Sequence, residues 1–204
     1  MKRLILIILT VLVFPGLTAC SMDTNHNAAE TTMESENISI PTTDDEVSSS
    51  STDTTALGLS DYDLYETTYL ETVDLVYSYP SESIALANFT PERRIFYIAS
   101  IYDMEIQNGG LCQFFVNHPH SLAPYVEEAL TSIGAESHHL LFSEFIADNK
   151  IDVHDLDSFV INDISEYAAQ TERYDFNTFD DRYYKLTPLY EYMAEYIRQN
   201  ADAF

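Results

Sequence analysis

The sequence predicts an all-α fold, a compact bundle of about six to seven helices behind a disordered tether. Three observations predict it. Beyond residue 61, apolar side chains recur three and four apart, the spacing that lines one face of a helix, and no segment of strand length alternates with period two. Glycine is scarce, at 5 of 204 residues, which disfavours a turn-dense all-β chain. Threonine–proline pairs and single glycines bracket the apolar runs, as helix starts and ends do.

The first segment carries an address. Lys2 and Arg3 form a short basic region, followed by an apolar run from Leu4 to Phe14 broken only by Thr10. That run is about half the roughly 20 residues a membrane span needs, so it reads as the apolar core of a signal peptide. Leu17-Thr18-Ala19-Cys20 then resembles the bacterial lipobox: an aliphatic residue, two small residues and a cysteine. The resemblance implies a signal peptide over residues 1–19 and cleavage before Cys20. It also implies lipidation of Cys20, with palmitate-type acyl chains as the anchor, each buried methylene contributing about 0.8 kcal/mol. The chain has 2 cysteines. If Cys20 is acylated, Cys112 has no intramolecular partner, and no disulfide framework supports the fold.

Residues 20–60 follow as the acylated cysteine and a disordered acidic tether. From Ser21 to Ser60 the chain is rich in Ser, Thr, Asp, Glu and Asn, with 8 acidic residues and no Lys or Arg. Ile38, Ile40 and Val47 are isolated, and such a stretch buries too little to offset its ordering entropy. A coil of this length reaches about 30–40 Å, enough to hold a domain clear of a bilayer.

The helical domain spans residues 61–204. Tyr62, Tyr65, Tyr69, Val73 and Val76 form its first apolar stripe. Thr90 as N-cap and Pro91 at the first helical position open a second, with Ile95, Ile98, Ala99, Tyr102 and Ile106. The stripe ends at Gly109-Gly110, where a left-handed C-cap and a tight reversal are expected, and Leu111, Phe114 and Phe115 plug the next short helix into the core. Leu122, Tyr125, Val126, Ala129, Leu130 and Ile133 come next, closed by Gly134. Leu141, Phe142, Phe145 and Ile146 follow. A further stripe runs through Leu156, Phe159, Val160, Ile164, Tyr167 and Ala168. Thr187-Pro188 repeats the cap-plus-proline start before Leu189, Met193, Tyr196 and Ile197.

Charge bounds the function. The whole chain carries a formal net charge of −25, and residues 61–204 hold 26 acidic against 7 basic residues. Nucleic-acid binding needs a basic footprint, so it is excluded as an ordinary role. Glu105, Asn108, Gln113 and Asn117 gather around the double glycine and make that corner the candidate site, either structural or ligand-binding. No catalytic residue, metal site or cofactor is expected. His118-Pro119-His120 lacks an adjacent third ligand, and His138 and His139 diverge by about 100° on a helix. A calcium loop begun at Asp148 would meet Lys150, Val153 and Phe159 where oxygen donor, glycine and glutamate are required. Cys112 sits between apolar residues without a local base and reads as a small hydrophobe.

The string Glu105, Asn108-Gly109-Gly110, Gln113-Phe114-Phe115 and Asn117 resembles the hallmark of the bacterial DNA-mimic-protein domain family. The segment Ala129-Leu130-Thr131-Ser132-Ile133-Gly134-Ala135, and Asp180 with Tyr183-Tyr184, continue the likeness in order, from about Leu64 to Arg198. Leu111 departs from the aromatic usual after the glycines and keeps the plug apolar. The resemblance implies an all-helical domain without known catalytic activity and, in the founding member, an acidic surface that imitates DNA phosphates to occupy a DNA-binding regulator. The export signal argues against that partner here, because such regulators are cytoplasmic. The expectation is a lipid-anchored protein of the cell envelope, held at the membrane and facing away from the cytoplasm. Its acidic, non-catalytic domain would meet a basic protein or envelope component; the alternative is a small-ligand or enzymatic domain using the Glu105–Asn117 corner.

Overall fold

The computed structural model describes residues 58–204. The expected signal peptide, the Cys20 lipidation site and the tether as far as residue 57 lie outside the described residues. Leu59 packs against the core and Ser60 caps the first helix through its Oγ, which accepts the N–H of Asp63 at 3.2 Å.

Eight α-helices follow, with three short 3-10 turns and no strand among the described residues. They are α1 (Asp61–Ser78), α2 (Glu82–Asn88), α3 (Pro91–Asn117), α4 (Val126–Ser132), α5 (Glu136–Asn149), α6 (Ile164–Arg173), α7 (Phe176–Tyr183) and α8 (Leu189–Gln199). None of these is long and apolar enough to cross a membrane. The all-α bundle is the fold the periodicity predicts, with two more helices than the stripes mark. Helix α2 is a seven-residue segment and α7 an eight-residue one. Helix α2 buries only Ala85 and so shows no stripe, whereas α7 does present Phe176, Phe179 and Tyr183 at helical spacing.

Helix α3 is the axis of the bundle and touches α1, α4, α6, α7 and α8. Thr90 caps it as expected, accepting the N–H of Arg93 at 3.2 Å, with Pro91 at the start. Its sequence suggested one apolar face, but every residue from Phe96 to Asp103 is buried. A helix surrounded by neighbours buries all its sides, and Ser100 is accommodated by donating its hydroxyl to the Phe96 carbonyl at 2.8 Å. Helix α1 lies along α8. Its fully buried positions are Leu64, Thr68 and Thr72, while Tyr65, Tyr69, Val73 and Val76 flank them half-buried and Tyr62 is exposed.

Two expected boundaries differ. The stripe from Leu156 to Ala168 is not one helix: a 3-10 turn at Asp157–Phe159 ends in extended backbone at Val160, and α6 starts afresh behind Asp163. The Asp163 carboxylate accepts the N–H groups of Ser165 and Glu166, a strong start signal inside the apparent stripe. Thr187 does not cap α8 either; Pro188 occupies that place and offers no side-chain acceptor. Gly134 does close α4. It has φ 78°, and the bonds Ala135 N–H to Leu130 O (2.9 Å) and Gly134 N–H to Thr131 O (3.1 Å) form a Schellman motif.

Candidate functional site

The double glycine breaks α3 in two. Gly109 has φ −158° and Gly110 φ 78° with ψ 176°, both outside helical geometry. The conformation at Gly110 is not the left-handed helical one expected of a C-cap; it lies in the extended positive-φ region that is essentially glycine's alone. Side-chain hydrogen bonds from Gln113, Asn117 and His118 to Glu105 span the break and establish that the chain turns back. Glu105 and Asn117 are twelve residues apart, which is about 18 Å along an unbroken helix. Yet Asn117 Nδ2 donates to Glu105 Oε2 at 2.9 Å. Only a reversal at the glycines brings them together.

The reversal leaves orphan groups at both new helix ends, and other helices satisfy them. Tyr184 donates its hydroxyl to the Ile106 carbonyl at 2.7 Å, and Tyr167 donates to the Gly109 carbonyl at 3.4 Å. On the restarting side, Asp180 Oδ1 accepts the Leu111 N–H at 3.0 Å. The other Asp180 oxygen lies against the Gly110 Cα, where any side-chain carbon would collide with it. Tyr183 extends the clamp by donating to Asp103 Oδ1 at 2.6 Å.

Glu105 is the polar centre of the corner, buried to 8% exposure. Its Oε2 accepts from Gln113 Nε2 at 2.6 Å and Asn117 Nδ2 at 2.9 Å, and its Oε1 lies 3.3 Å from His118 Nε2. Burial pushes this carboxyl up, but the bonds from His118, Gln113 and Asn117 outweigh it and hold the group below the usual carboxylate range. Asp180 shows the opposite balance: burial raises it, one backbone N–H opposes, and nearby Asp181 raises it further. Asp103 is likewise raised by burial against its bonds from Tyr183 and Gln107.

Of the six corner residues the sequence singled out, Glu105, Gln113 and Asn117 meet directly, and Gly109 and Gly110 make the turn. Asn108 is exposed and stands apart from the carboxylate cluster. Sequence reasoning missed His118, Tyr167 and Asp103 as members of this network. Nothing local marks them, because each is brought in only by the reversal or by a distant helix. The other histidines disperse: His120 faces Asp157, His139 faces Glu127, and His138 is buried against the rings of Tyr183 and Tyr192. Cys112 is buried and free, its thiol pushed up to about 11 by burial.

Chemically, the corner is a set of donors and acceptors turned toward one another. Asp180, Tyr183 and Tyr184, remote in sequence, close upon α3 at and just before the double glycine: Asp180 at Gly110 and Leu111, Tyr183 at Asp103 and Tyr184 at Ile106. No curated protein and no solved structure matches the chain. The model of the DMP19-like protein family matches residues 87–200, more than half of the sequence, and the chain belongs to that family.

Proposed function

We propose that the chain is a lipid-anchored protein of the cell envelope, held through acylated Cys20, whose helical domain is a non-catalytic acidic module that binds a basic protein or basic envelope component. Charge left uncompensated is the observation that carries this reading. Residues 61–204 hold 26 acidic and 7 basic residues. Among the described residues, Lys or Arg contacts to carboxylates are limited to Arg182–Glu144, Arg198–Asp61 and Arg198–Glu195. The remaining surface carboxylates sum to a negative field that attracts cationic partners and speeds their encounter. The corner supports the same conclusion, since Glu105, Gln113 and Asn117 use their hydrogen bonds on each other rather than presenting them to a ligand.

The resemblance to DNA-mimic proteins suggests an acidic surface that competes with DNA for a regulator. An export signal moves the domain away from such regulators, so the same surface is assigned to a basic partner outside the cytoplasm. Crosslinking on intact cells, followed by purification of the chain, tests this. A basic extracytoplasmic protein whose capture falls with salt is the expected result; a co-purifying metabolite in place of a protein would overturn it. The anchor is tested separately. Cys20→Ser should leave an unprocessed, non-acylated precursor, and processing like the wild type would refute lipidation.

A further inference from the structure

We propose that the groove between α5 and α7 receives an arginine side chain of the basic partner, an inference that rests on the domain being an acidic binding module. The groove encloses about 160 Å³. That is below the roughly 300–1,000 Å³ of sites that take whole small molecules, and it suits one long side chain. Its floor is apolar, made by Leu141, Phe145 and Phe179, and its walls carry Glu144, Asp148 and Asp175.

The walls differ in what they have left to give. Asp175 is committed to its own helix, accepting the Thr178 N–H at 3.1 Å and the Thr178 hydroxyl at 2.7 Å. Glu144 accepts from Arg182 Nη2 at 2.7 Å. Asp148, one turn further along α5, makes no ion pair among the described residues. Residues four apart on a helix share a face, so Glu144 and Asp148 stand side by side above the apolar floor. An arginine stem laid on Leu141, Phe145 and Phe179 would place its head between these two carboxylates. A guanidinium suits the place better than an ammonium, because its planar fork pairs with carboxylate oxygens two at a time. The chain itself supplies the precedent: Arg182 already occupies one of the two positions. Both members of the Arg182–Glu144 pair are more than half exposed, so an incoming arginine can displace Arg182 at little cost.

The test uses the full-length chain in detergent and a fluorescent peptide of alternating arginine and glycine, read by anisotropy at physiological salt. Glu144→Gln with Asp148→Asn should weaken binding about tenfold or more. Arg182→Ala removes the internal competitor and should tighten binding severalfold. A control double variant, Asp74→Asn with Glu191→Gln on α1 and α8, removes the same charge elsewhere and should change affinity less than twofold. If the control weakens binding as much as the groove variant, the groove is overturned while the acidic-module reading stands. If the wild type fails to bind the peptide even at low salt, both fall. If Arg182→Ala binds no tighter than wild type, the shared guanidinium position is wrong.

Discussion

Asp180 on α7 accepts the backbone N–H of Leu111 at 3.0 Å, and so caps a helical segment 69 residues earlier in the chain. Leu111 is fully buried, so water offers its N–H no substitute. Replacing Asp180 with alanine strands that donor at a cost of about 1–3 kcal/mol. We expect Asp180→Ala to lower the melting temperature by roughly 3–8 °C. Asp180→Asn keeps an oxygen acceptor and sheds a carboxylate that burial already disfavours, so it should lose distinctly less. An alanine variant that melts like the wild type would remove this cap from the account of the fold.

Gly110 and Gly109 are not equivalent, although they are neighbours. Gly110 has φ 78° and its Cα faces the Asp180 carboxylate, so Gly110→Ala meets both backbone strain and a collision. Strain alone is about 1–3 kcal/mol, and Gly110→Val should be the more damaging change. Gly109 has no positive φ, and a Cβ there collides chiefly with the flexible end of the Gln113 side chain and crowds its Cβ at 3.2 Å. Gly109→Ala should therefore displace Gln113 from Glu105 and cost less than Gly110→Ala. Thermal melts of the two alanine variants check the order; equal losses would refute it.

Much of this fold was legible because long helices repeat their pattern. Thr90-Pro91 and the apolar residues through Ile106 identify α3, and Gly134 marks the end of α4. What the sequence hid were features without periodicity. Helix α2 buries a single residue, Ala85, and Asp163 starts a helix inside an apparently continuous stripe. The corner was half visible in the same sense. Glu105, Gln113 and Asn117 lie along one string around two glycines, so their gathering followed once the chain turned. His118 joined only because the reversal brings residues thirteen apart into contact, Tyr167 arrives from α6, and Asp180 and Tyr184 arrive from α7 and its C-terminal cap. Tertiary contacts of that range leave no local signal.

His138 is 1% exposed, its Nδ1 has no hydrogen-bond partner, and the rings of Tyr183 and Tyr192 face it edge-on. Burial pushes its pKa down to about 4 from an ordinary 6.5. The unfolded chain therefore binds the proton first. Stability from neutral His138 is full above pH 6.5 and is lost as pH falls toward 4, by about 2–3 kcal/mol at the end of that range. Melting temperature should fall between pH 7 and 5, and His138→Leu should flatten that slope. Parallel slopes for variant and wild type would assign the acid sensitivity to other groups.

Gln113 separates a structural corner from a ligand site. Its Nε2 donates the shortest of the bonds to Glu105, at 2.6 Å, into a carboxylate that is almost fully buried. Gln113→Ala removes that donor and leaves part of a buried charge unsatisfied, so it should cost about 1–3 kcal/mol. Glu105→Gln is expected to be worse, because its new amide can face the amide donors of Gln113 or Asn117. The pH dependence follows from the direction of the Glu105 shift. Held below its ordinary 4.5, this carboxyl contributes stability that is present above that value and is lost as pH falls through its folded value. Gln113→Ala weakens what holds the carboxyl down, so the variant should lose less on acidification than wild type while starting lower. Thermal melts at pH 7 and through the range below pH 4.5 decide the matter. A ligand site would leave the Gln113→Ala melt unchanged at pH 7, whereas a corner whose donors hold Glu105 must lose stability there.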